Sequence, residues 1–245
     1  MTKAFDDRAR KGYDDGLFPE NEIFNGGSVA SMRVEAVSPR FARPFIAKHH
    51  YTKTFPDSTL HTFAGWIGDA LAGVITFGMG VGLNQYKALL PDIKQGEYLE
   101  LTRLWSPDGM PKNTESKLIG AAIRMLPPKV RLLISFADSS RGHTGTIYQA
   151  TNFYHLGMTN GGKMLVTEDG TEKHPRLLGI YRMRHAEYAN TPTPELMSIL
   201  GYSYKEAGAK HRYALPIAGK KNQRKKDRAT LSDIALACGW EAPDA

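Results

Sequence analysis

Polar residues that could do chemistry are concentrated in two adjoining segments of this chain. Each segment has the pattern of a strand, a polar turn and a helix, and together they place Arg103 and Asp138 at strand ends and Ser116 and Tyr148 at helix starts. An open α/β sheet binds its ligands at such ends, where the free N–H groups of a helix N-terminus favour anions. These four side chains are therefore the first candidates for a binding or catalytic site.

Arg103 and Asp138 stand out because the strands that carry them are otherwise apolar. By alternation, Arg103 shares one face of its strand with Leu101 and Trp105. An arginine on an apolar face must pair with a carboxylate or bind an anion, so a structural salt bridge and a clamp on a phosphate, carboxylate or nucleotide both stay open. Asp138 either caps the turn that follows its strand or takes part in catalysis or metal binding.

Further candidates each have a structural alternative. Tyr148 either faces the same cleft or packs in the core. Asn113 and Ser116 either cap a helix or hold a cofactor phosphate, although the glycines of a phosphate-binding loop are absent. His50 and Tyr51 end the first predicted helix, where a histidine complements the helix dipole, and the pair also matches the ligands of iron or zinc.

Composition points to a folded core and a polyanionic partner. The apolar fraction is 41% and the net charge is +7. One cysteine excludes an internal disulfide and a cysteine-based zinc site, and with no signal peptide or long apolar run we expect a cytoplasmic protein. The basic run 219–230 is either a solvated tail or an arm on a phosphate backbone, with these candidate DNA-binding residues: Lys220, Lys221, Arg224, Lys225 and Lys226.

The hydrophobic pattern predicts an α/β (α+β) fold with a mixed sheet and helices on both faces. A hairpin is expected over 61–80, turning at Gly68 and Asp69. The other predicted strands are 32–39, 98–105, 130–137, 163–168, 176–183 and 211–217, and the predicted helices are 40–50, 117–126, 145–157 and 191–201. We expect a polar N-terminal extension over 1–30, a catalytic domain over 31–217 and a basic C-terminal tail with a short helix over 218–245.

Several long stretches resemble the Mom family of phage DNA-modification proteins: HHYTKTFP (49–56), EYLELTRLW (97–105), PKNTESKLIG (111–120), FADSSRGHTGTIYQATNFYHLG (136–157) and KHRYAL (210–215). The resemblance implies a fold similar to the GCN5-related N-acetyltransferases (GNAT), with a mixed, mostly antiparallel sheet. It also implies conversion of adenine in DNA to N6-carbamoylmethyladenine, which protects phage DNA from host restriction.

The resemblance also implies site residues and partners. The functional positions map onto Tyr51, Arg103, Asp138 and Tyr148, and Ser116 and Asn113 join Arg103 as candidates for cofactor binding. Iron is the implied metal, with His50, Tyr51 and Asp138 as ligands. The donor is acetyl-CoA, as the fold implies, or glycyl-tRNA, which suits the atoms of the product. DNA is the expected partner, with tRNA if it carries the donor, and a dimer is compatible with the sequence.

Two other functions compete with DNA modification. An ordinary N-acetyltransferase acting on a protein or small amine would bind acetyl-CoA tightly. A non-catalytic DNA-binding module would bind with a steep dependence on salt and leave the nucleosides unaltered.

Overall fold

The structure is a computed structural model that describes residues 27–80 and 82–240. The predicted N-terminal extension therefore lies almost wholly outside the described residues. The chain divides into two compact units. Among the described residues, the first joins 27–80 and 82–136 with 145–157 and 212–240, and the second consists of 137–144 and 158–211.

Ten strands form two sheets in the described residues. The strands are β1 (Arg33–Ala36), β2 (Thr59–Ile67), β3 (Ala70–Gly78), β4 (Tyr98–Trp105), β5 (Leu132–Asp138), β6 (Tyr154–Met158), β7 (Gly162–Val166), β8 (Glu172–Lys173), β9 (Ser203–Ala207) and β10 (Lys210–Pro216). The larger sheet has seven strands in the order β1-β2-β3-β4-β5-β10-β6, and the smaller has the order β8-β7-β9. In the larger sheet β1 to β4 pair antiparallel and β4 pairs parallel with β5, which confirms the predicted mixed, mostly antiparallel sheet.

Seven α-helices lie in the described residues: α1 (Pro39–His49), α2 (Leu83–Lys87), α3 (Thr114–Arg124), α4 (Thr146–Gln149), α5 (Arg176–Arg184), α6 (Thr193–Ile199) and α7 (Lys221–Ala237). None of these combines the length and the apolar character that a membrane span requires. The start of α1 follows from its sequence, because the Ser38 side chain accepts a hydrogen bond from the Phe41 N–H and Pro39 occupies the first turn.

Helices cover both faces of the seven-stranded sheet. On one face, α1 buries Phe41 and Phe45 against the aromatic side chains of Trp66 and Trp105. On the other face, α3 approaches so closely that its Leu118 would lie 3.1 Å from a Cβ at Gly65 or Gly73. Glycine in β2 and β3 therefore makes room for the helix, and the prediction of helices on both faces is confirmed.

Two predicted elements are wrong. Residues 176–183, predicted as a strand, form α5, in which Leu177, Leu178 and Tyr181 recur at helical spacing toward an apolar cluster with Leu196. Residues 145–157, predicted as one helix ended by Gly157, form the single turn α4 and then β6. The helix ends at Gln149, and the chain then turns at Asn152, whose φ of 64° is left-handed.

One buried ion pair holds α7 against the rest of the first unit. Asp227 is only 1% exposed and accepts hydrogen bonds from Arg131 at 2.9 and 3.3 Å and from the Gln223 amide at 2.8 Å. The same guanidinium contacts Glu97 and Asp92, each at 3.1 Å. The predicted tail is therefore an ordered helix whose position is fixed by a guanidinium shared among three carboxylates.

We predict that Arg131→Met lowers the free energy of unfolding by about 3–5 kcal/mol, because it leaves the buried Asp227 carboxylate without its cation. Urea denaturation of the full chain measures the effect. Lys226→Gln is the control, since it removes only the exposed 3.4 Å contact with Asp92, and such pairs contribute about 0–1 kcal/mol. Equal effects of the two substitutions would contradict the anchoring role of Arg131.

Candidate active site

A β-bulge in β4 decides where Arg103 points. Thr76 of β3 pairs with Arg103, while the next residue, Phe77, pairs with Leu101, so Thr102 is an extra residue in β4. Neighbouring residues on β3 face opposite sides of the sheet, and hence Arg103 and Leu101 do as well. The predicted shared face of these two residues is therefore wrong. The bulge moves Arg103 off the apolar face of Leu101.

The bulge also puts Arg103 on the same face as Glu100. Glu100 pairs with Gly78, which shares a face with Thr76 and hence with Arg103. This is the face that α1 covers through Trp105. A cation and a carboxylate three positions apart thus come to the same side of the sheet, an arrangement that strict alternation excludes.

The Arg103 guanidinium holds the loop that follows α1. Its Nε donates to the Thr54 carbonyl at 3.1 Å, its Nη2 to the Thr54 hydroxyl at 3.2 Å and its Nη1 to the Thr102 carbonyl at 2.6 Å. Burial lowers the pKa of Arg103, while the charges of Tyr51, Glu100 and Tyr148 raise it. Arg103 therefore has a structural role in ordering the loop that carries Tyr51, and it is electrostatically coupled to the other polar side chains.

Glu100 is a site residue that sequence reasoning missed. Its carboxylate lies against Gly80, where an added Cβ would overlap the carboxylate and come within 2.6 Å of the Glu100 Cβ. Glycine at position 80 therefore leaves the space that Glu100 occupies. The signal was present in the sequence as a glycine just after a strand, which marks a close approach of another group, but it did not name that group.

Tyr148 lies in α4 between aromatic neighbours. Its ring centroid is 5.1 Å from that of Tyr213 and 5.5 Å from that of Phe153. Burial raises the pKa of Tyr148 to about 12, a hydrogen bond with Ser135 opposes the rise, and the charges of Tyr51, Glu100 and Glu115 add to it. At neutral pH this phenol keeps its proton and can donate it.

Five side chains of the first unit are therefore coupled electrostatically, and we call them the Arg103 cluster: Tyr51, Glu100, Arg103, Glu115 and Tyr148. Tyr51 is the most accessible ring of the set, at 39% exposure. The buried Tyr86 hydroxyl is also coupled to the cluster. Burial is the largest cause of the raised pKa of Tyr86, and the Glu100 charge raises it further. That hydroxyl has no hydrogen-bond partner among residues 27–80 and 82–240.

The N-terminus of α3 borders the same cluster through Glu115. Asn113 is the N-cap residue with a left-handed φ of 71°, and its side chain makes no capping bond. The Ser116 hydroxyl donates to the Asn113 carbonyl at 3.1 Å. The capping role considered for both side chains is therefore wrong, and the backbone N–H groups of this helix start are not covered by the N-cap side chain.

Asp138 caps a turn in the second unit. Its Oδ1 accepts the backbone N–H of Ser140 at 3.1 Å and the Ser140 hydroxyl at 2.6 Å, at the start of the 3₁₀ turn Ser139–Arg141. Asp138 therefore caps this turn, as the structural alternative in the sequence analysis predicts. The two capping bonds use one of the two carboxylate oxygens of Asp138.

Two of the implied iron ligands, His50 and Tyr51, are adjacent and form a stacked pair. The His50 Nδ1 accepts the Thr52 N–H at 3.2 Å and lies 2.9 Å from the Thr52 hydroxyl, while the His50 ring stacks on Tyr51 with centroids 4.4 Å apart. Across 27–80 and 82–240, no three His, Cys, Asp or Glu side chains converge on a common point.

Comparison with known proteins places these residues in a family context. A family model described as the Mom protein family matches residues 31–232. Among curated proteins, the methylcarbamoylase mom of Escherichia phage Mu is 36% identical over 141 residues. That match covers 56% of this chain and 58% of the relative, so the chain spans less than two thirds of the relative's length.

Solved structures with a similar fold are acetyltransferases. A GNAT-family acetyltransferase of Streptococcus pneumoniae is 10% identical with a TM-score of 0.43, over 76% of this chain and all of the other. A Bacillus subtilis acetyltransferase in complex with CoA is 12% identical with a TM-score of 0.40, over 76% of this chain and 99% of the other. These likenesses concern the fold alone.

We predict that Gly80→Ala displaces the Glu100 side chain and destabilises the protein by about 1–3 kcal/mol, because the new methyl group has no space. Thermal unfolding measures the loss. Gly82→Ala is the matched control, since a Cβ there meets nothing within 4 Å. A Gly80→Ala protein as stable as the Gly82→Ala protein would contradict the tight contact.

We also predict that Glu100→Gln lowers the pKa of Tyr148 from about 12. A nearby negative charge disfavours the phenolate, so its removal makes ionisation easier, while burial keeps the pKa above the ordinary value. NMR titration of ¹³C-labelled tyrosine, assigned with Tyr148→Phe, measures the shift. Glu35→Gln removes an equal charge in β1 and should leave the titration unchanged.

Proposed function

The chain belongs to the Mom protein family, and from this premise we propose that it is a transferase that converts adenine in DNA to N6-carbamoylmethyladenine and so protects phage DNA from host restriction. The observation that carries the proposal is the Arg103 cluster. It gathers a guanidinium, two carboxylates and two phenols within the part of the chain that the family model matches. These groups are sufficient to bind a polar substrate and move a proton.

The substrate must leave the DNA duplex before it can react. Adenine N6 is paired and stacked inside a duplex, and enzymes that modify a base extrude it or act on unpaired DNA. The partly exposed Tyr51 ring offers an aromatic face for the extruded base. Arg103 positions this ring, because its guanidinium holds the same loop through Thr54.

Proton transfer is the chemical step that the cluster supports. The exocyclic amine of adenine is a poor nucleophile until it loses a proton, so a carboxylate is needed as acceptor. Glu100 faces the same side of the sheet as Arg103 in the first unit, and its charge acts on Arg103 and Tyr148. Both turn-capping bonds of Asp138 use the same carboxylate oxygen, Oδ1. We assign the acceptor role to one of these two groups.

Tyr148 supplies the complementary proton. With its pKa raised to about 12, the phenol stays protonated at neutral pH and can donate to the leaving group of the donor. With glycyl-tRNA as donor, the bond from N6 to the glycyl carbonyl carbon forms as the ester bond from that carbon to the tRNA 3′ oxygen breaks, which gives N6-glycyladenine. An intramolecular exchange, in which N6 moves to the methylene carbon and the glycyl amine moves to the carbonyl carbon, converts this isomer to N6-carbamoylmethyladenine without a further reactant. The N6 proton goes to the carboxylate, and the leaving group takes its proton from the phenol.

The donor is acetyl-CoA or glycyl-tRNA, and both carry phosphates. The start of α3 is a favourable place for such a group, because its N-cap side chain makes no capping bond and Ser116 and Asn113 lie there. The Thr114 N–H is not part of such a site, since it donates to the Pro111 carbonyl at 3.2 Å. A glycyl group contains the same atoms as a carbamoylmethyl group, which favours glycyl-tRNA as a source of carbon and nitrogen. An iron ion held by His50, Tyr51 and Asp138 would supply Lewis-acid chemistry, but none of the steps above depends on it.

We predict that plasmid DNA from cells that express the full chain contains N6-carbamoylmethyladenine. Nucleoside mass spectrometry with fragmentation detects it and separates it from the isomeric N6-glycyl product. Arg103→Ala should reduce the modified nucleoside at least ~100-fold and Tyr148→Phe at least ~10-fold, in line with the usual loss of an acid–base or positioning group. Of Glu100→Gln and Asp138→Ala, the substitution that removes the proton acceptor should cause a loss of at least ~100-fold, and the other a smaller loss.

Lys129→Gln, an exposed substitution in the loop before β5, is the control and should retain full modification. Unmodified DNA with well-expressed wild-type protein would overturn the proposal. In that case acetylation of cellular proteins or amines would identify an ordinary N-acetyltransferase.

A further inference from the structure

The first half of α7 carries a single basic stripe. Lys221, Arg224, Lys225 and Arg228 are spaced i, i+3, i+4 and i+7, which places them within one arc of about 100° on the helix surface. Three of them are exposed and Arg224 is half-buried. Lys226 lies outside this arc and pairs instead with Asp92. The stripe therefore contains only those basic residues of the run 219–230 that share one side of the helix.

The stripe lies at the unfavourable end of its helix. The first turn of α7 has no acidic residue, and Lys220 at the N-cap makes no side-chain capping bond. Positive charges at a helix N-terminus oppose the helix dipole and destabilise the free helix. A row of phosphates on the stripe would reverse this effect, because negative charge is favourable at that end.

The side of α7 next to the stripe, beyond Arg224, fixes the stripe in place. Asp227 is paired with Arg131 in the interior, and Leu231 and Ala235 are fully buried in the core of the first unit. The basic residues therefore project from a rigid helix rather than from a flexible tail. Four cations over about 10 Å of helix form a dense, fixed positive surface.

We propose that the basic stripe of α7 docks onto the phosphate backbone of duplex DNA and holds it while the base is modified. This inference rests on the proposed function, because DNA is the polyanion that the proposed reaction uses. The stripe contributes affinity without sequence specificity, since phosphate contacts position a duplex and carry no base information.

The test is DNA binding by the full chain without any donor, measured by fluorescence anisotropy with a fluorescein-labelled duplex at several salt concentrations. Neutralising the stripe with K221Q/R224Q/K225Q/R228Q should weaken binding at least ~100-fold at about 0.1 M salt. It should also reduce the slope of log K against log salt by about 3–4, since each phosphate contact contributes about 0.9. The double variant K117Q/R124Q, on α3, should change affinity less than ~5-fold.

A second readout separates docking from misfolding. Lys221→Glu should raise the unfolding temperature of the DNA-free protein by about 1–3 °C, because an acidic residue suits the helix N-terminus, and yet weaken DNA binding. An unchanged affinity and salt slope in the quadruple variant would overturn the inference. Loss of tRNA binding with DNA binding intact would also overturn it and would assign the stripe to the donor.

These outcomes are distinguishable from failure of the proposed function. Wild-type protein that binds DNA through the stripe but forms no modified nucleoside refutes the reaction and leaves the docking surface in place. If the wild-type protein modifies DNA and the quadruple stripe variant binds DNA normally, only the docking surface is refuted.

Discussion

One extra residue in β4 determines the polar chemistry of the first unit. Because Thr102 bulges out of the ladder with β3, Arg103 turns to the face of Glu100 and can reach the loop after α1. Without the bulge, alternation would direct the guanidinium toward the α3 side, among apolar residues. The electrostatic coupling of Arg103 with Glu100, Tyr51 and Tyr148 depends on this local change of register.

The surroundings of the cluster are built to keep it polar yet largely enclosed. Gly80 leaves space for a carboxylate that any larger residue would displace. Tyr148 rests between two aromatic rings, so its hydroxyl is held beside Ser135, whose own hydroxyl donates to the Leu101 carbonyl at 2.9 Å. Ser135 thereby links β5, β4 and α4 in the region where proton transfer is proposed.

Much of this architecture could be predicted from the sequence, and the exceptions have physical causes. The bounds of β4 and the β2–β3 hairpin followed from apolar periodicity and the Gly68–Asp69 turn. A bulge leaves no mark in that periodicity, so the face of Arg103 was assigned wrongly and Glu100 was missed. The strand prediction for α5 failed because a short, evenly apolar segment fits both periods, and only its packing in the second unit decides between them.

The Arg131–Asp227 pair has a consequence for the newly made chain. Its two residues are separated by 96 positions, so the ribosome completes β5 long before α7 exists. At ordinary rates of synthesis the interval is about 5–20 s. During that time the guanidinium has only the carboxylates of Asp92 and Glu97 available, and the apolar surface that α7 later covers stays open. The first unit therefore closes only after α7 has been translated.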